Sequence, residues 1–407
     1  MILPIPTQPL YYASPSQLHF SALVTEVKGQ RVALSATAFY PEGGGQNADT
    51  GWLAWSGGEA QILDTQKDKA DKTSGVIWHT FSGDTPPVGA EVRGEVDAQS
   101  RWRSMQRHSA EHLLAQAFFR LDPKFAVAAV SMRSAECTID LQGQPTEADA
   151  RAAETLLHET LGRRQLQLRN IEVPEAELGA YPLRRTTKVS GKVRLVVFED
   201  APLEGEVGQF FDVSACGGLH VPWAAMALPV ATLRTERIKG DLTRVVFVAG
   251  EEAAEFLGRT YQASKALAAT LSAGPGDLTA RVEALRRSAQ EQSAQLAAAQ
   301  TALIGHDVAA APAEQIGAVM LRVLNITDPA LIPMALSATP SGEVLLVTTP
   351  SGRVGFGSAS GVHAGELLRS AFVKVGGKGG GKPEAAQGQT EDVAGVVAVV
   401  RELLSQA

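Results

Sequence analysis

Two pairs of metal-binding side chains occur at the same spacing in distant parts of the sequence. His108 and His112 are four residues apart, and so are Cys216 and His220. On a helix, residues i and i+4 lie on one face, so two imidazoles placed there can hold one ion. A thiolate and a third imidazole bring the set to four nitrogen and sulfur ligands, which suits tetrahedral zinc. We therefore predict one zinc ion per chain, bound by these four side chains.

The histidine pair alone allows two other interpretations. It can be structural packing, and residues 108–112 also spell H-x-x-E-H, a zinc-peptidase motif in which Glu111 would act as general base. The peptidase needs a third protein ligand, usually a carboxylate, and leaves Cys216 and His220 without a role. A site with four protein ligands can be purely structural, whereas hydrolysis needs an open position for water. Both roles of zinc stay open at this stage.

Length and composition restrict the class of protein. The 407 residues predict two to four domains, and 44% hydrophobic with 20% charged residues is typical of a globular protein. A net charge of -7 argues against wholesale coating of nucleic acid but permits a local basic groove. The only cysteines, Cys137 and Cys216, leave no disulfide framework, and no apolar run reaches the length of about 18 residues that a membrane helix needs. We expect a cytoplasmic protein without membrane contact.

Residues 1–98 alternate short apolar runs, such as 22–27 and 75–81, with turn residues. This alternation predicts the strands of a small barrel or sandwich. The region also contains the glycine-rich segment 37–46, which reads TAFYPEGGGQ. Consecutive glycines leave backbone amides uncovered, so a phosphate or carbonyl could approach closely. A flexible loop is the alternative.

Helical periodicity starts near residue 99, and a helix at 147–161 with a strand at 193–198 predicts an α+β domain over residues 99–258. Basic residues cluster in this region, and they indicate either a phosphate-binding surface or a solvated face. The cluster comprises Arg163, Arg164, Arg169, Arg184, Arg185, Lys188, Lys192 and Arg194.

A helical arm is predicted over residues 259–305, with a break at 274–276 and a new helix capped by Asp277. Between Leu278 and Leu303, residues at alternating steps of four and three form a heptad seam that is apolar except for Gln292. The seam indicates either an arm packed on its neighbour within the chain or a homodimer formed through residues 278–303. Both alternatives stay open.

A last domain is predicted over residues 306–407, with a strand at 343–348, a helix at 391–404 and a glycine-rich loop at 376–383. The loop is not a nucleotide-binding P-loop, because Lys382 is followed by proline rather than by serine or threonine. Lys378 and Lys382 instead predict a clamp on a nucleic-acid backbone.

Three motifs together resemble a known family. Residues 39–46, the His108 and His112 pair, and residues 216–221 (CGGLHV) resemble the editing half of alanyl-tRNA synthetase. Their order is similar to that in the free-standing editing proteins called AlaX, and residues 376–387 resemble the glycine-rich motif of the DHHA1 domain. The resemblance covers nearly the whole chain and points to the long form of AlaX. It implies an α+β fold class with a glycine-rich β-barrel, a zinc-binding editing domain, a coiled-coil arm and an α/β DHHA1-like domain.

The resemblance implies a zinc-dependent aminoacyl-tRNA deacylase that acts in trans. It would hydrolyse the ester of serine, or of glycine, wrongly attached to tRNA(Ala). No synthetase ATP-binding domain precedes the barrel, so we expect editing without aminoacylation. Such an editor is needed because a synthetase pocket built for alanine cannot strongly reject serine, which adds a hydroxyl, or glycine, which lacks a methyl.

The resemblance also assigns candidate residues. Zinc ligands would be His108, His112, Cys216 and His220; the catalytic set would be His108, His112, Cys216 and Gln46; substrate contacts would be Thr37, Gly43, Gly44, Gly45, Gln46, Arg107, Lys378 and Lys382. Thr37 would contact the serine hydroxyl. One departure is Leu219, which stands where the family usually has threonine and removes a hydroxyl but no ligand. A non-catalytic tRNA-binding protein with a structural zinc, and an H-x-x-E-H peptidase, are the competing hypotheses.

Overall fold

The computed structural model describes residues 5–71, 73–187, 189–200 and 209–406. The chain divides into two compact units, Met1–Ala266 and Leu267–Ala407. The first unit contains both the barrel region and all four predicted zinc ligands. The finer division of the sequence into four domains stays a prediction.

The first unit contains fifteen labelled strands and three helices within the described ranges. Its strands are β1 (Gln8–Pro9), β2 (His19–Lys28), β3 (Arg31–Leu34), β4 (Ala36–Thr37), β5 (Gly51–Trp55), β6 (Gly58–Lys67), β7 (Ile77–Gly83), β8 (Glu91–Val96), β9 (Val127–Ser131), β10 (Cys137–Leu141), β11 (Leu166–Pro174), β12 (Lys192–Asp200), β13 (Phe210–Ala215), β14 (Val230–Arg237) and β15 (Thr243–Ala249). Its helices are α1 (Ala98–Leu121), α2 (Glu147–Arg163) and α3 (Gly250–Thr270), and the end of α3 belongs to the second unit.

Six strands close into a barrel in the order β2-β3-β7-β6-β5-β8, so the prediction of a small barrel is confirmed. Strand β8 shows a period of two, in which every second residue is buried. Because neighbouring side chains on a strand point to opposite faces, this period of two places one face of each strand in the barrel core. Phe20, Leu53 and Val92 are among the buried residues of that core.

Helix α1 follows the barrel and carries two of the predicted ligands. The Asp97 side chain accepts a hydrogen bond from the Ser100 backbone N–H, which satisfies one free amide at the start of the helix. The sequence predicts one apolar face from Leu113 onward, but the structure buries residues around the helix, including His108 and Glu111. The reason is that α1 packs against α2 and against β10, β13 and β15. These strands belong to two sheets, ordered β14-β15-β10-β9 and β11-β12-β13.

The second unit has one mixed sheet in the order β16-β17-β18-β19-β21-β20. Its strands are β16 (Ala313–Ile316), β17 (Val319–Asn325), β18 (Glu343–Thr348), β19 (Arg353–Ser358), β20 (Lys378–Gly381) and β21 (Ala385–Gln389), and its helices are α4 (Leu278–Ala310), α5 (Ile332–Ser337), α6 (Ala364–Val375) and α7 (Val393–Ser405). The predicted strand at 343–348 is confirmed, and the terminal helix begins two residues later than predicted. The predicted loop at 376–383 is wrong in its centre, because residues 378–381 form the edge strand β20, paired with β21.

The predicted heptad seam lies on α4 and is largely exposed. Leu296 and Leu303 are 60% and 61% exposed, whereas Ile304 and Val308 at the end of the helix are buried. No other described part of the second unit covers the seam, so a dimer through residues 278–303 stays a prediction. Asp277 stands at the N-cap as predicted, but its side chain makes no capping hydrogen bond. None of the described helices is both long enough and apolar enough to cross a membrane.

Candidate metal centre

The fold brings the four predicted ligands together. One donor atom from each of His108, His112, Cys216 and His220 lies within 4.8 Å of the others. The Cys216 Sγ atom is 3.4 Å from His108 Nε2 and 3.6 Å from His220 Nε2. Tetrahedral zinc, with bonds of about 2.3 Å to sulfur and about 2.0 Å to nitrogen, separates such ligands by about 3.5 Å. The donor set and its spacing therefore fit a zinc ion.

Gln46 fixes the ring of His108. Its Oε1 atom accepts the Leu219 backbone N–H at 3.1 Å and lies 2.8 Å from His108 Nδ1. Because the shared atom is an acceptor, we assign the proton of the neutral imidazole to Nδ1, which leaves the Nε2 electron pair facing Cys216. Outer partners of this kind set both the tautomer and the orientation of a metal-binding histidine.

The other two histidines have comparable partners, and sequence reasoning missed both. His112 Nδ1 lies 3.1 Å from Asp212 Oδ2, and His220 Nδ1 lies 3.3 Å from Ser109 Oγ. These contacts leave the Nε2 atoms free to bind metal. The sequence signal for Asp212 was a polar residue inside the apolar strand β13. The signal for Ser109 was its position next to His108 on α1.

The cluster concentrates charge in a confined volume. Burial acts to raise the pKa of the Cys216 thiol, but the neighbouring imidazoles of His108 and His112 hold that pKa well below its usual range. For His220, burial and repulsion from His108 and His112 lower the pKa to about 3. Burial acts to lower the pKa of the third ring, His112, but the Cys216 thiolate and the Asp212 carboxylate raise that pKa to about 10. Metal ligation requires a thiolate and neutral imidazoles, so an ion that binds here must displace the proton of His112.

The turn after β13 depends on Gly218. A Cβ atom added there would lie 1.9 Å from His108 Cε1, so only glycine fits beside the ring. Arg194 holds the same turn from outside, since its Nη1 donates to the carbonyls of Cys216 at 2.7 Å and Gly218 at 3.0 Å. Leu219 is fully buried in the apolar core. Its backbone N–H makes the contact to Gln46, so the departure from threonine leaves that contact intact.

The glycine-rich segment is a hydrogen-bonded turn rather than a flexible loop. Gly43 and Gln46 exchange backbone hydrogen bonds of 3.2 and 3.0 Å. Gly44 and Gly45 have φ values of +60° and +86°, the left-handed region that a type I′ turn needs at both central positions. A buried ion pair between Asp49 and Arg101 of α1 anchors the approach to the turn.

A cavity of about 840 Å³ opens beside the cluster. Its walls combine the glycine turn, α1, β9, residues 184–187 and 189, the end of β13 and the residues that follow it. The lining residues are Gly44, Gly45, His108, Glu111, His112, Ala126, Val127, Ala128, Ala129, Val130, Arg184, Arg185, Thr186, Thr187, Val189, Ser214, Ala215, Cys216 and Gly217. Glu111 Oε2 lies 3.7 Å from His112 Nε2.

Several predicted substrate contacts lie elsewhere. Thr37 is fully buried, and its Oγ1 lies 2.9 Å from His79 Nε2. Arg107 makes two hydrogen bonds of 2.5 Å to Glu252 of α3. Neither residue is among those that line the cavity in the described structure. Lys378 and Lys382 belong to the second unit.

Part of the basic cluster pairs with carboxylates inside the first unit. Arg164 pairs with Asp200 and Arg169 with Glu199. Arg194 is held by the carbonyls described above. Lys188 lies outside the described residues. Of the eight predicted residues, Arg184 and Arg185 line the cavity.

Comparison with known proteins adds a family relationship. Residues 9–100 match the family described as tRNA synthetases class II (A), and residues 301–407 match the DHHA1 domain. The alanine–tRNA ligase of Methanopyrus kandleri is 31% identical over 402 residues, which is 94% of this chain and 42% of that protein. The ligase of Methanoculleus marisnigri is 28% identical over 401 residues, again 42% of its length. The chain is related in sequence to alanyl-tRNA synthetases.

This chain thus spans less than half the length of the alanyl-tRNA synthetases it matches. Among solved structures, the C-Ala domain from Aquifex aeolicus alanyl-tRNA synthetase is matched at 24% identity over 23% of this chain and 98% of that domain, with a TM-score of 0.20. The expected DHHA1 domain is confirmed by the family match. Membership of the AlaX group stays a prediction.

Proposed function

We propose that the chain is a trans-editing hydrolase. It cleaves the ester of serine, or of glycine, wrongly attached to tRNA(Ala). The observation that carries this proposal is the convergence of four zinc-type donors on a cavity that also includes Gly44 and Gly45. The relationship to alanine–tRNA ligases supports tRNA(Ala) as the nucleic acid.

Different residues of the site have different roles in the proposed reaction. Zinc, when bound, supplies a positive charge that polarises an ester carbonyl or acidifies a water. Gln46 and Asp212 orient the rings of two ligands. The Glu111 carboxylate lines the cavity beside His112 and is placed to accept a proton. The space outside Gly44 is open, since nothing lies within 4 Å of where a Cβ would be, and this leaves room for the acylated end of the tRNA.

Discrimination between serine and alanine rests on the serine hydroxyl. A site that hydrogen-bonds this group gains a contact that alanine cannot make. We retain Thr37 as a proposed contact, although its hydroxyl is engaged by His79 and would have to release that bond. Lys378 and Lys382 are proposed to bind the tRNA backbone. Arg107 is proposed to contact the substrate while it stays paired with Glu252.

The second candidate function is tRNA binding with a structural zinc. The observation in its favour is that four protein donors, with outer partners on all three histidines, can fill a tetrahedral site completely. The peptidase hypothesis has less support, because Cys216 and His220 occupy the cluster where that motif expects a carboxylate ligand.

A deacylation panel separates these functions. Purified full-length chain is incubated with Ser-, Gly- and Ala-tRNA(Ala), with and without a chelator, and zinc content is measured. Cys216→Ala should lower the rate of serine release by at least about 100-fold, because it removes a metal ligand. Cys137→Ala is the matched control, since Cys137 is a free buried cysteine outside the cluster.

Retained hydrolysis by a zinc-depleted Cys216→Ala protein would show the site assignment to be wrong. Tight tRNA binding without release of any amino acid would favour the binding function. We also propose that the exposed α4 seam pairs two chains. Sedimentation velocity of the full chain tests this, and a monomer at every concentration would exclude it.

A further inference from the structure

The cavity beside the metal cluster contains two arginines with different surroundings. Arg184 contacts other side chains of the protein, and only 11% of its side chain is exposed. Its Nε lies 3.4 Å from Asp212 Oδ1, and its Nη2 donates to Ser214 Oγ at 3.3 Å. Since Asp212 also contacts His112, Arg184 acts on the metal cluster as a positioning residue.

Arg185 has no such partner among the residues that the structure describes. Its side chain is exposed and lines the cavity. Within the described ranges, no carboxylate oxygen lies within 4.0 Å of its guanidinium, the limit for an ion pair. Its Nη1 lies 3.5 Å from the Val127 carbonyl on another wall of the cavity. Thr186 and Thr187, which follow it, also line the cavity. Among the described residues, Arg185 is therefore a cavity-lining guanidinium without a carboxylate partner, and it lies next to two threonines in the chain.

The neighbouring arginines differ from Arg185 because each of them has a closer partner within the protein. Arg164 and Arg169 face carboxylates, and Arg194 donates to backbone carbonyls. A guanidinium presents N–H donors in a fixed fork that matches the oxygens of a phosphate, and charge-assisted hydrogen bonds of this type are about twice as strong as neutral ones. A phosphate is thus the ligand that fits the wall formed by Arg185, Thr186 and Thr187.

We propose that Arg185, with the hydroxyls of Thr186 and Thr187, binds the phosphate on the 5′ side of the substrate's terminal adenosine, while the amino-acid ester lies beside Cys216. The inference rests on the proposed deacylase function and adds to it the residues that position the terminal nucleotide of the substrate. The cavity volume of about 840 Å³ lies within the range of small-molecule sites, roughly 300–1,000 Å³.

A pair of stable analogues tests the proposal independently of hydrolysis. The probe is 3′-deoxy-3′-(serylamino)adenosine, with and without a 5′-phosphate, because its amide resists cleavage. Calorimetric titration of the full chain should show tighter binding of the phosphorylated analogue by about 10-fold or more, as expected for a charge-assisted hydrogen bond. Arg185→Met should remove this preference and leave the affinity for the unphosphorylated analogue unchanged, and Arg185→Lys should keep part of it.

Arg163→Met is the matched control, since Arg163 is an exposed arginine at the end of α2 outside the cavity. It should retain the full preference. The proposal is overturned if the wild-type protein shows no preference, if neither analogue binds, if the preference survives in Arg185→Met, or if that variant weakens both analogues equally. A wild-type protein that prefers the phosphorylated analogue but releases no serine from Ser-tRNA(Ala) would refute the deacylase function and leave the phosphate site standing.

Discussion

Two glycine-rich segments of this chain have similar composition and different structures. In the first unit, residues 43–46 form a turn whose Gly44 has a φ of +60° and open space where a Cβ would lie. In the second unit, residues 378–381 form a strand, and a Cβ on Gly379 would lie 2.5 Å from the Phe372 ring and from the Gln387 carbonyl oxygen. Glycine is needed in the turn for its backbone conformation, and in the strand for close packing.

This difference changes what each segment can bind. The turn leaves free space beside the metal cluster, so a ligand can approach its backbone. The amides of β20 that face β21 are already hydrogen-bonded. The exposed side chains of Lys378 and Lys382 are the part of this segment that we propose for contact with a nucleic-acid backbone. A run of glycines therefore indicates close approach, but the approaching group can be a ligand or another part of the protein.

The largest effect is expected for Gly388→Ala in the strand region. A Cβ there would lie 2.3 Å from Phe372 Cε2 and 2.7 Å from the Lys378 carbonyl oxygen. Overpacking costs about 1–3 kcal/mol, and we expect about 3 kcal/mol because backbone cannot move aside easily. Hydrogen exchange of the β21 amides measures the loss. Gly380→Ala is the control, with open space around its Cβ, and equal protection in the two variants would contradict the packing argument.

Acid should lower the stability of the first unit through the buried histidine His79. The described histidines of the second unit, His306 and His363, are not buried, so we expect no matching effect there. His79 is fully buried between Thr37 Oγ1 and the Val32 carbonyl, and burial lowers its pKa to about 4. The unfolded value is about 6.5, so the unfolded chain binds the proton more readily. The stability that His79 contributes is fully present above about pH 6.5 and is lost as the pH falls toward 4, on the order of 3 kcal/mol in total.

The histidine effect is measured by comparison with His79→Gln, which keeps a hydrogen-bonding side chain but does not titrate. Hydrogen exchange of the β7 amides in both proteins, at matched pH values between 7 and 4, gives the difference in local stability. As the pH falls, the wild-type protein should lose local stability relative to His79→Gln. A difference that is constant with pH would show that His79 does not link acid to unfolding of the barrel.

The smallest effect is expected at the turn. Gly44→Ala places a side chain in open space, so its only penalty is the left-handed backbone conformation, about 1 kcal/mol. Gly43→Ala is the control, because its φ is not left-handed and its Cβ would make an ordinary contact of 3.5 Å to Tyr40. Denaturant titrations compare the two variants. If Gly44→Ala costs as much as Gly388→Ala, the distinction between conformation and packing is wrong.

Local patterns determined a large part of this structure. Short apolar runs between turn residues predicted the strands of a barrel or sandwich, and the strands close into a barrel. The strand at 343–348 and the helix at 147–161 are present close to their predicted bounds. Spacing of four residues identified His108 and His112 as neighbours, which is a property of any helix. Such features depend on residues close in sequence, so the sequence alone is sufficient to find them.

Only the tertiary structure decided which distant groups meet. Arg107, a predicted substrate contact, forms a partly buried ion pair with Glu252, 145 residues away in the chain. Asp212 and Gln46 became partners of the metal-binding histidines in the same way. Hydrogen bonds and ion pairs act over a few ångströms, whatever the separation in sequence. The sequence therefore determined which side chains are able to bind a metal or a phosphate, and the fold decided which of them remain free to do so.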